Sequence, residues 1–346
     1  MKAVGLKRYG DIEVFEDLDV PKPSAPQGRD LLIRIKATSV NPIDIKVRGG
    51  VYDDYPDYYD HVPFNTDKYQ ILGYDSSGVV EQVGPDVSRF KIGDEIYFLA
   101  SPFRHGSNAE LVLTDERSAA LKPRSLSFEH AAGIPLTALT AWEALVERLE
   151  IKEGEQVAIL IINGAGGVGS IASQICAEIL RLPVIITTAS REETRNFSKE
   201  MGATHVINHH DDIVKQINQL KLNVPLKYAF ITHTTVEEYV KVCADVLSPF
   251  GKMCSIVQGK FDFYGTPSMA KCLTFVWELL STKVRYGGNL EVHGEVLEKL
   301  AKLIDQGKIK SHVTQVFEFN CENLKKVHDL IFKGKAIGKI TLKMNT

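Results

Sequence analysis

No cysteine occurs before Cys176, and the five in the chain (Cys176, Cys243, Cys254, Cys272 and Cys321) stand singly, with no C-x-x-C pair. That scarcity excludes a disulfide framework and a structural zinc lobe, and reads as reduced, mostly core thiols. No apolar run reaches the roughly 20 residues that a membrane-spanning helix needs. The opening MKAVGLKRYGDIEVFEDLDV lacks the apolar core of a signal peptide and soon turns acidic, so a cytoplasmic protein with no membrane partner is expected. The formal net charge of -3 supplies no basic field, and no nucleic-acid partner is expected. Internal repeats and low-complexity tracts are missing. So are a Tyr-x-x-x-Lys pair and a nucleophile elbow, which removes support for a short-chain dehydrogenase or a serine hydrolase.

What is present begins with a soluble, globular balance of 44% hydrophobic and 25% charged residues over 346 positions, enough for about two domains. The chain is organised around VAILIINGAGGVGSIASQICAEIL, Val157–Leu180. Its first six residues form an unbroken apolar run of strand length, as in a parallel strand covered on both faces. Gly164, Gly166 and Gly169 then fill the three positions of G-x-G-x-x-G, with Gly167 and Val168 between them. Ile171, Ala172, Ile175, Cys176 and Ile179 follow at helical spacing and make one apolar stripe. Strand, glycine turn and helix in that order make a helix N-terminus that a pyrophosphate can approach closely.

Upstream, to about Leu121, short alternating segments such as Leu31–Val40 predict an antiparallel, partly open β-barrel. Between Arg48 and Gly73, Tyr52, Tyr55, Tyr58, Tyr59 and Tyr69 lie among five aspartates and two prolines. This loop reads either as an aromatic lid over a pocket or as an irregular surface excursion. A helix is predicted over Pro135–Leu149. Strands at Val184–Thr188, His205–Ile207, Tyr228–Ile231 and Lys252–Val257 then alternate with helices at Glu192–Met201, Asp212–Leu220 and Val236–Leu247, which implies a doubly wound parallel sheet. The fold class is therefore α/β. A helix at Glu291–Asp305, a strand at Val313–Phe319, a helix at Glu322–Phe332 and an amphipathic strand at Ile337–Met344 close the chain, the last able to rejoin the first domain.

Several motifs in order carry a resemblance over essentially the whole length: SVNPIDIKVR, ILGYDSSGVV, GDEIYF, GSNAELVLTDE, IPLTALTAWEAL, the glycine turn, TTASREET and MGATHVINH. The chain resembles the medium-chain dehydrogenase/reductase superfamily. Its nearest likeness is to the zinc-independent quinone oxidoreductase branch, in the group often labelled zinc-type alcohol dehydrogenase-like. The resemblance implies a GroES-like barrel domain at 1–130, completed by 290–346, and a Rossmann NADPH-binding domain at 131–289. It also implies a homodimer, with Cys272–Leu280 as an edge strand.

Zinc-dependent relatives place a cysteine where this chain has Asn41 and Gly-His-Glu where it has Gly73-Tyr74-Asp75, so no metal site is expected. His61, His105 and His130 read as an unrelated scatter. At the end of the second parallel strand an NAD enzyme usually carries an acidic residue. Here Ser190 and Arg191 stand there, which suits the 2′-phosphate of NADPH, although Ser190 with Glu193 also reads as a helix capping box. The resemblance points to Asn41 as a catalytic contact for nicotinamide or substrate and to Tyr52 at the cleft rim, and the proton is expected from water or from a nearby hydroxyl such as Tyr52. Thr137 is a candidate contact for the nicotinamide amide, or else an ordinary helix residue. Asp44 and Arg48, one turn apart, read as a local ion pair. The expected activity is hydride transfer from NADPH to a quinone or an α,β-unsaturated carbonyl. A zinc-type alcohol dehydrogenase and a non-catalytic NADPH-binding sensor or RNA-binding protein are the alternatives.

Overall fold

The computed structural model describes residues 1–52, 58–65 and 67–344. The chain divides into two compact units, Met1–Leu136 with Ser281–Thr346, and Thr137–Leu280. The boundaries thus fall at Leu136/Thr137 and Leu280/Ser281, where the sequence suggested 130/131 and 289/290.

The first unit begins with β1 (Lys2–Leu6) and β2 (Phe15–Asp19), paired antiparallel. Strand β3 (Asp30–Ser39) is its axis. Leu31, Ile33 and Ile35 are fully buried while Arg34 and Lys36 are half-buried, so the alternation in the sequence becomes an inner and an outer face. Helix α1 (Pro42–Gly49) follows at once, and β3 pairs antiparallel with β4 (Asp75–Val83). Two register shifts between β3 and β4, at Leu32/Ile33 and Ile35/Ala37, bend the pair and curve the sheet. β5 (Glu95–Leu99) pairs with β4, and β6 (Leu111–Asp115) with the first half of β3. β7 (Ala119–Leu121) pairs with β5, and α2 (Phe128–Ala132) comes next.

Helix α3 (Pro135–Trp142) leads into the second unit and continues through Glu143–Arg148 with a wider turn, closed by Leu149 N–H on the Ala144 carbonyl. The parallel strands are β8 (Ala158–Ile162), β9 (Val184–Thr188), β10 (His205–Ile207), β11 (Leu226–Ile231), β12 (Lys252–Ser255) and β13 (Thr274–Trp277). Between them run α4 (Gly167–Gln174), α5 (Glu192–Glu200), α6 (Ile213–Gln219) and α7 (Val236–Val246). The strand order β10-β9-β8-β11-β12-β13 reverses direction at β8/β11, which makes that gap the switch point of a Rossmann sheet. All five residues of β8 are buried, as its apolar run requires.

The chain then returns to the first unit with α8 (Ser281–Tyr286), α9 (Glu291–Asp305), β14 (Val313–Glu318), α10 (Cys321–Phe332) and β15 (Lys339–Lys343). β15 lies antiparallel on the second half of β3, with Thr341 opposite Ser39, beyond the part occupied by β6. The terminal strand therefore does rejoin the first domain's barrel. Among the described residues no helix is long and apolar enough to cross a membrane.

Candidate active site

The predicted residues fall in two places, one in each unit. In the second unit the turn after β8 starts at Asn163, a non-glycine residue in left-handed conformation with φ 64°. Its N–H donates to Thr188 Oγ1 at 2.8 Å, and Thr232 Oγ1 donates to the Ile162 carbonyl at 2.7 Å, so the turn is tied to both neighbouring strands. A Cβ on Gly169 would lie 2.2 Å from the Asn163 carbonyl oxygen, and one on Gly164 would lie 2.3 Å from Thr187 Cβ. These two glycines serve close packing of helix on strand. Gly166 is the N-cap of α4, and Gly167, Val168 and Gly169 form its first turn, whose N–H groups have no partner within the helix. The arrangement offers several backbone donors and the positive end of a helix to an anion.

At the end of β9, Ser190 is half-buried and Arg191 exposed. The capping box drawn from Ser190 and Glu193 does not form: the N-cap of α5 is Arg191, and Thr194 Oγ1 donates to the Arg191 carbonyl at 2.8 Å. One residue that the sequence reading missed is Arg195, which donates to the carbonyls of Ala189 and Val206 and so fastens the end of β9 to β10. Thr137, in the first turns of α3, is buried.

In the first unit Asn41 sits just before α1 and is buried. Its backbone N–H donates to Asp44 Oδ2 at 2.9 Å, while Asp44 Oδ1 accepts the Gly73 N–H at 3.0 Å. The expected Asp44–Arg48 pair is therefore wrong: Asp44 is consumed by two backbone donors, and Arg48 donates to the Gly10 carbonyl and His328 Nδ1. Burial pushes the Asp44 carboxyl up to about 7, against the pull of those N–H groups and of Lys339. Asp75, at the start of β4, accepts from Ser39 Oγ at 2.9 Å and from the Leu136 N–H at 3.1 Å. Lys339, from β15, is buried with its Nζ 2.8 Å from Asn41 Oδ1, 2.8 Å from the Val40 carbonyl and 3.6 Å from Asp75 Oδ2. Burial drives the Asp75 carboxyl up and the Lys339 ammonium down, and the charge of each opposes the shift of the other.

Tyr52 is buried rather than standing on a rim, because its ring packs edge-on against Tyr58 at 4.6 Å. Tyr58 in turn reaches the Tyr74 hydroxyl and the Pro102 carbonyl, both at 3.2 Å. The described tyrosines at 52 and 58 thus belong to the core; Tyr55 of the same loop lies outside the described residues. His105 pairs with Asp67 and His130 with Ser311, in separate places. Lys339 went unread for a local reason: in the alternation of β15 it shares a face with Lys343, which is exposed, and only its distant partners Val40 and Asn41 show that its side chain is covered.

Residues 27–133 match the model of the alcohol dehydrogenase GroES-like domain, and 201–342 that of the zinc-binding dehydrogenase family. A zinc-type alcohol dehydrogenase-like protein of Staphylococcus aureus is 35% identical over 351 residues, covering 99% of both chains. A crystal structure from Rhizobium etli, described as a candidate zinc-dependent alcohol dehydrogenase, superposes with a TM-score of 0.90 at 36% identity over 100% of this chain and 98% of the other. A quinone oxidoreductase of Pseudomonas syringae gives a TM-score of 0.81 at 26% identity over 99% of each chain. With likeness of this extent on a GroES-like barrel and a Rossmann sheet, the chain belongs to the medium-chain dehydrogenase/reductase superfamily of nicotinamide-dependent oxidoreductases.

Proposed function

We propose that this protein is an NADPH-dependent, zinc-independent reductase of quinones or α,β-unsaturated carbonyls. The observation that carries the reading is the Lys339 ammonium 2.8 Å from Asn41 Oδ1. Zinc, named in the descriptions of the relatives, does not suit this donor set. Asn41 Oδ1 already accepts from a cation, the Tyr74 hydroxyl is bonded to Tyr58, and Asp75 is shared between Ser39 and Lys339. A dication would have to approach a buried positive charge with neutral oxygen ligands in place of thiolate and imidazole. Oxidising a plain alcohol at such a site would lack a Lewis acid for the alkoxide, whereas an enone or quinone needs only donors at its oxygen.

In this reading the N–H groups of Gly167, Val168 and Gly169 hold the pyrophosphate, and Ser190 and Arg191 the 2′-phosphate. Thr137 contacts the nicotinamide amide. Bound in this way, NADPH supplies the hydride. Asn41 donates a hydrogen bond toward the acceptor's oxygen, and water supplies the proton. The substrate is a small molecule, as the Pseudomonas syringae quinone oxidoreductase suggests by its name. A homodimer through Cys272–Leu280 is part of the proposal, supported by β13 being the outermost strand of its sheet. The test is NADPH consumption with a para-quinone, an enone and a primary alcohol, with and without a chelator. Turnover of the first two, unchanged by chelation, is expected; fast alcohol oxidation lost on chelation overturns the reading.

A further inference from the structure

The amide of Asn41 has an oxygen and a nitrogen of nearly equal size, and left alone it could present either one. Only its neighbours tell the two ends apart. Lys339, as an ammonium, can only donate, so the amide atom 2.8 Å from its Nζ must be the oxygen. Asp75 Oδ2, which accepts from Ser39 Oγ, lies on the other side, 3.5 Å from Asn41 Nδ2. A donor on one side and an acceptor on the other select one orientation and exclude the flipped one. Lys339 is itself fixed, because its ammonium donates to the Val40 carbonyl and to Asn41 Oδ1 and forms an ion pair with Asp75 Oδ2 at 3.6 Å. The backbone beneath it is pinned by the pairing of Thr341 with Ser39, two residues before Asn41.

We propose that Lys339 is a positioning residue: delivered by the last strand of the chain, it sets the Asn41 side chain so that its N–H, not its carbonyl, is offered to the oxygen of the hydride acceptor. Lys339 has 4% of its surface exposed and acts through Asn41 rather than on substrate. With the ammonium removed, the carbonyl end of the amide loses its partner and the flipped orientation, which would repel an oxygen that is gaining negative charge, becomes accessible. This inference rests on the reading of Asn41 as a donor to substrate. The orientation itself can be measured without turnover.

The experiment uses the full chain as Lys339→Met, Asn41→Ala and the double variant, with thermal melts for each. Where Lys339→Met fails to fold because Asp75 is left without its cation, Lys339→Met is compared with wild-type lysine in the Asp75→Asn background instead. The first readout is the side-chain NH2 signal pair of Asn41 in amide NMR spectra, assigned by its loss in Asn41→Ala. A pair displaced from the positions of a free amide is expected in the wild type, and a pair moved toward those positions without Lys339; the two signals stay distinct in both, because rotation about the C–N bond is slow. The second readout is steady-state kinetics. Loss of Lys339 is expected to lower kcat by about tenfold, as for one lost transition-state hydrogen bond, with KM and NADPH affinity nearly unchanged, and to cost nothing more once Asn41 is alanine. An unaltered amide pair overturns the proposal whatever the activity. An equal fall in kcat with and without Asn41 overturns it too, because Lys339 would then act by another route. If the wild type turns over no quinone or enone, the functional reading fails, and the amide signals alone decide whether Lys339 orients Asn41.

Discussion

The glycine turn of the second unit and the Asn41 pocket of the first are built by opposite means. The turn is made almost entirely from one contiguous stretch, with strand, glycines and helix supplied in order between Val157 and Leu180 and the neighbouring strands adding Thr188 and Thr232. It works through backbone N–H groups, which any sequence carries, so its sequence signature is the glycines that let the backbone close. The pocket is assembled from Asn41, Asp75 and Lys339, the last of them 298 residues after the first. It works through side chains whose charges are safe only in one another's company. The turn cannot take a side chain at Gly164 or Gly169, whereas the buried charge network cannot lose one member alone.

The sharpest way to break this comparison is to remove one member of the network. Asp75→Ala strands the Lys339 ammonium in the core and should lower stability by about 3–5 kcal/mol, the cost of breaking a buried ion pair. Replacing both partners, as Asp75→Leu with Lys339→Met, should restore most of it, since an apolar pair of similar volume leaves no charge to strand. Urea unfolding of the three proteins checks this. Equal losses for the single and double variants would show that the contribution lies in shape rather than in charge.

A second, somewhat smaller effect concerns Asp44 and pH. Its carboxyl sits at about 7 in the folded chain against an ordinary 3.8, chiefly through burial. Between those values the native state holds a proton that the unfolded state has released, so this group's contribution falls as pH rises from about 4 to about 7 and is flat above. At ~1.36 kcal/mol per pKa unit the change amounts to a few kcal/mol at most. Unfolding midpoints of wild type and Asp44→Asn at stepped pH should converge and cross within that window. Parallel curves would mean that the carboxyl stays ionised through it.

How much of this was legible follows the same division. The bounds of β9, Val184–Thr188, and of α9, Glu291–Asp305, could be read directly, because apolar runs, helical spacing and a closing Gly307 are local signals. The parallel order of the second sheet followed from strand–helix alternation. Within the site, the glycines were readable and the partners of Asp44 were not. Spacing along α1 offered Arg48, yet the Asn41 and Gly73 N–H groups claimed the carboxylate, one of them across 29 positions of sequence. Tyr52, which the resemblance put at the cleft rim, is buried against Tyr58, itself bonded to Tyr74, and neither contact is signalled by local sequence. Lys339 lies beyond any local signal, since the groups that meet its side chain, Val40 and Asn41, stand 299 and 298 positions earlier in the chain.

The same contrast can be sharpened at the open end of the cradle. Arg191 is exposed, and among the described residues its bonds to Thr194 and Arg195 are made by its backbone carbonyl, so removing its side chain should leave the fold almost untouched. A lost bond to a charged group is worth about 1.5–3 kcal/mol, which makes Arg191→Ala expected to bind NADPH roughly ten- to a hundredfold more weakly while NADH binding barely changes. Fluorescence titration with both cofactors decides it. Equal weakening of both would return Arg191 to the role of a helix-end residue.

The smallest expected effect falls on Asn41, where the two ways of building meet, since its backbone caps α1 and its side chain belongs to the network. Asn41→Ala keeps the backbone N–H that donates to Asp44, so α1 should stay in place and the variant should fold. It removes the one neutral member of the network, leaving Lys339 with the Val40 carbonyl and Asp75 as partners, both still within 3.6 Å of its Nζ. The charges therefore remain paired, and the loss should appear in rate rather than in stability. One hydrogen bond made in the transition state and worth at least ~1.4 kcal/mol corresponds to about a tenfold fall in kcat/KM. The fall should appear with quinone and enone alike, because both place the developing charge on oxygen. Kinetics beside a thermal melt separate the cases. A tenfold slower enzyme with an unshifted melt supports Asn41 as a donor to substrate. An unaltered rate with a lowered melt would instead make the amide a purely structural bridge between Lys339 and Asp75, and the pocket would then be a scaffold with its chemistry elsewhere.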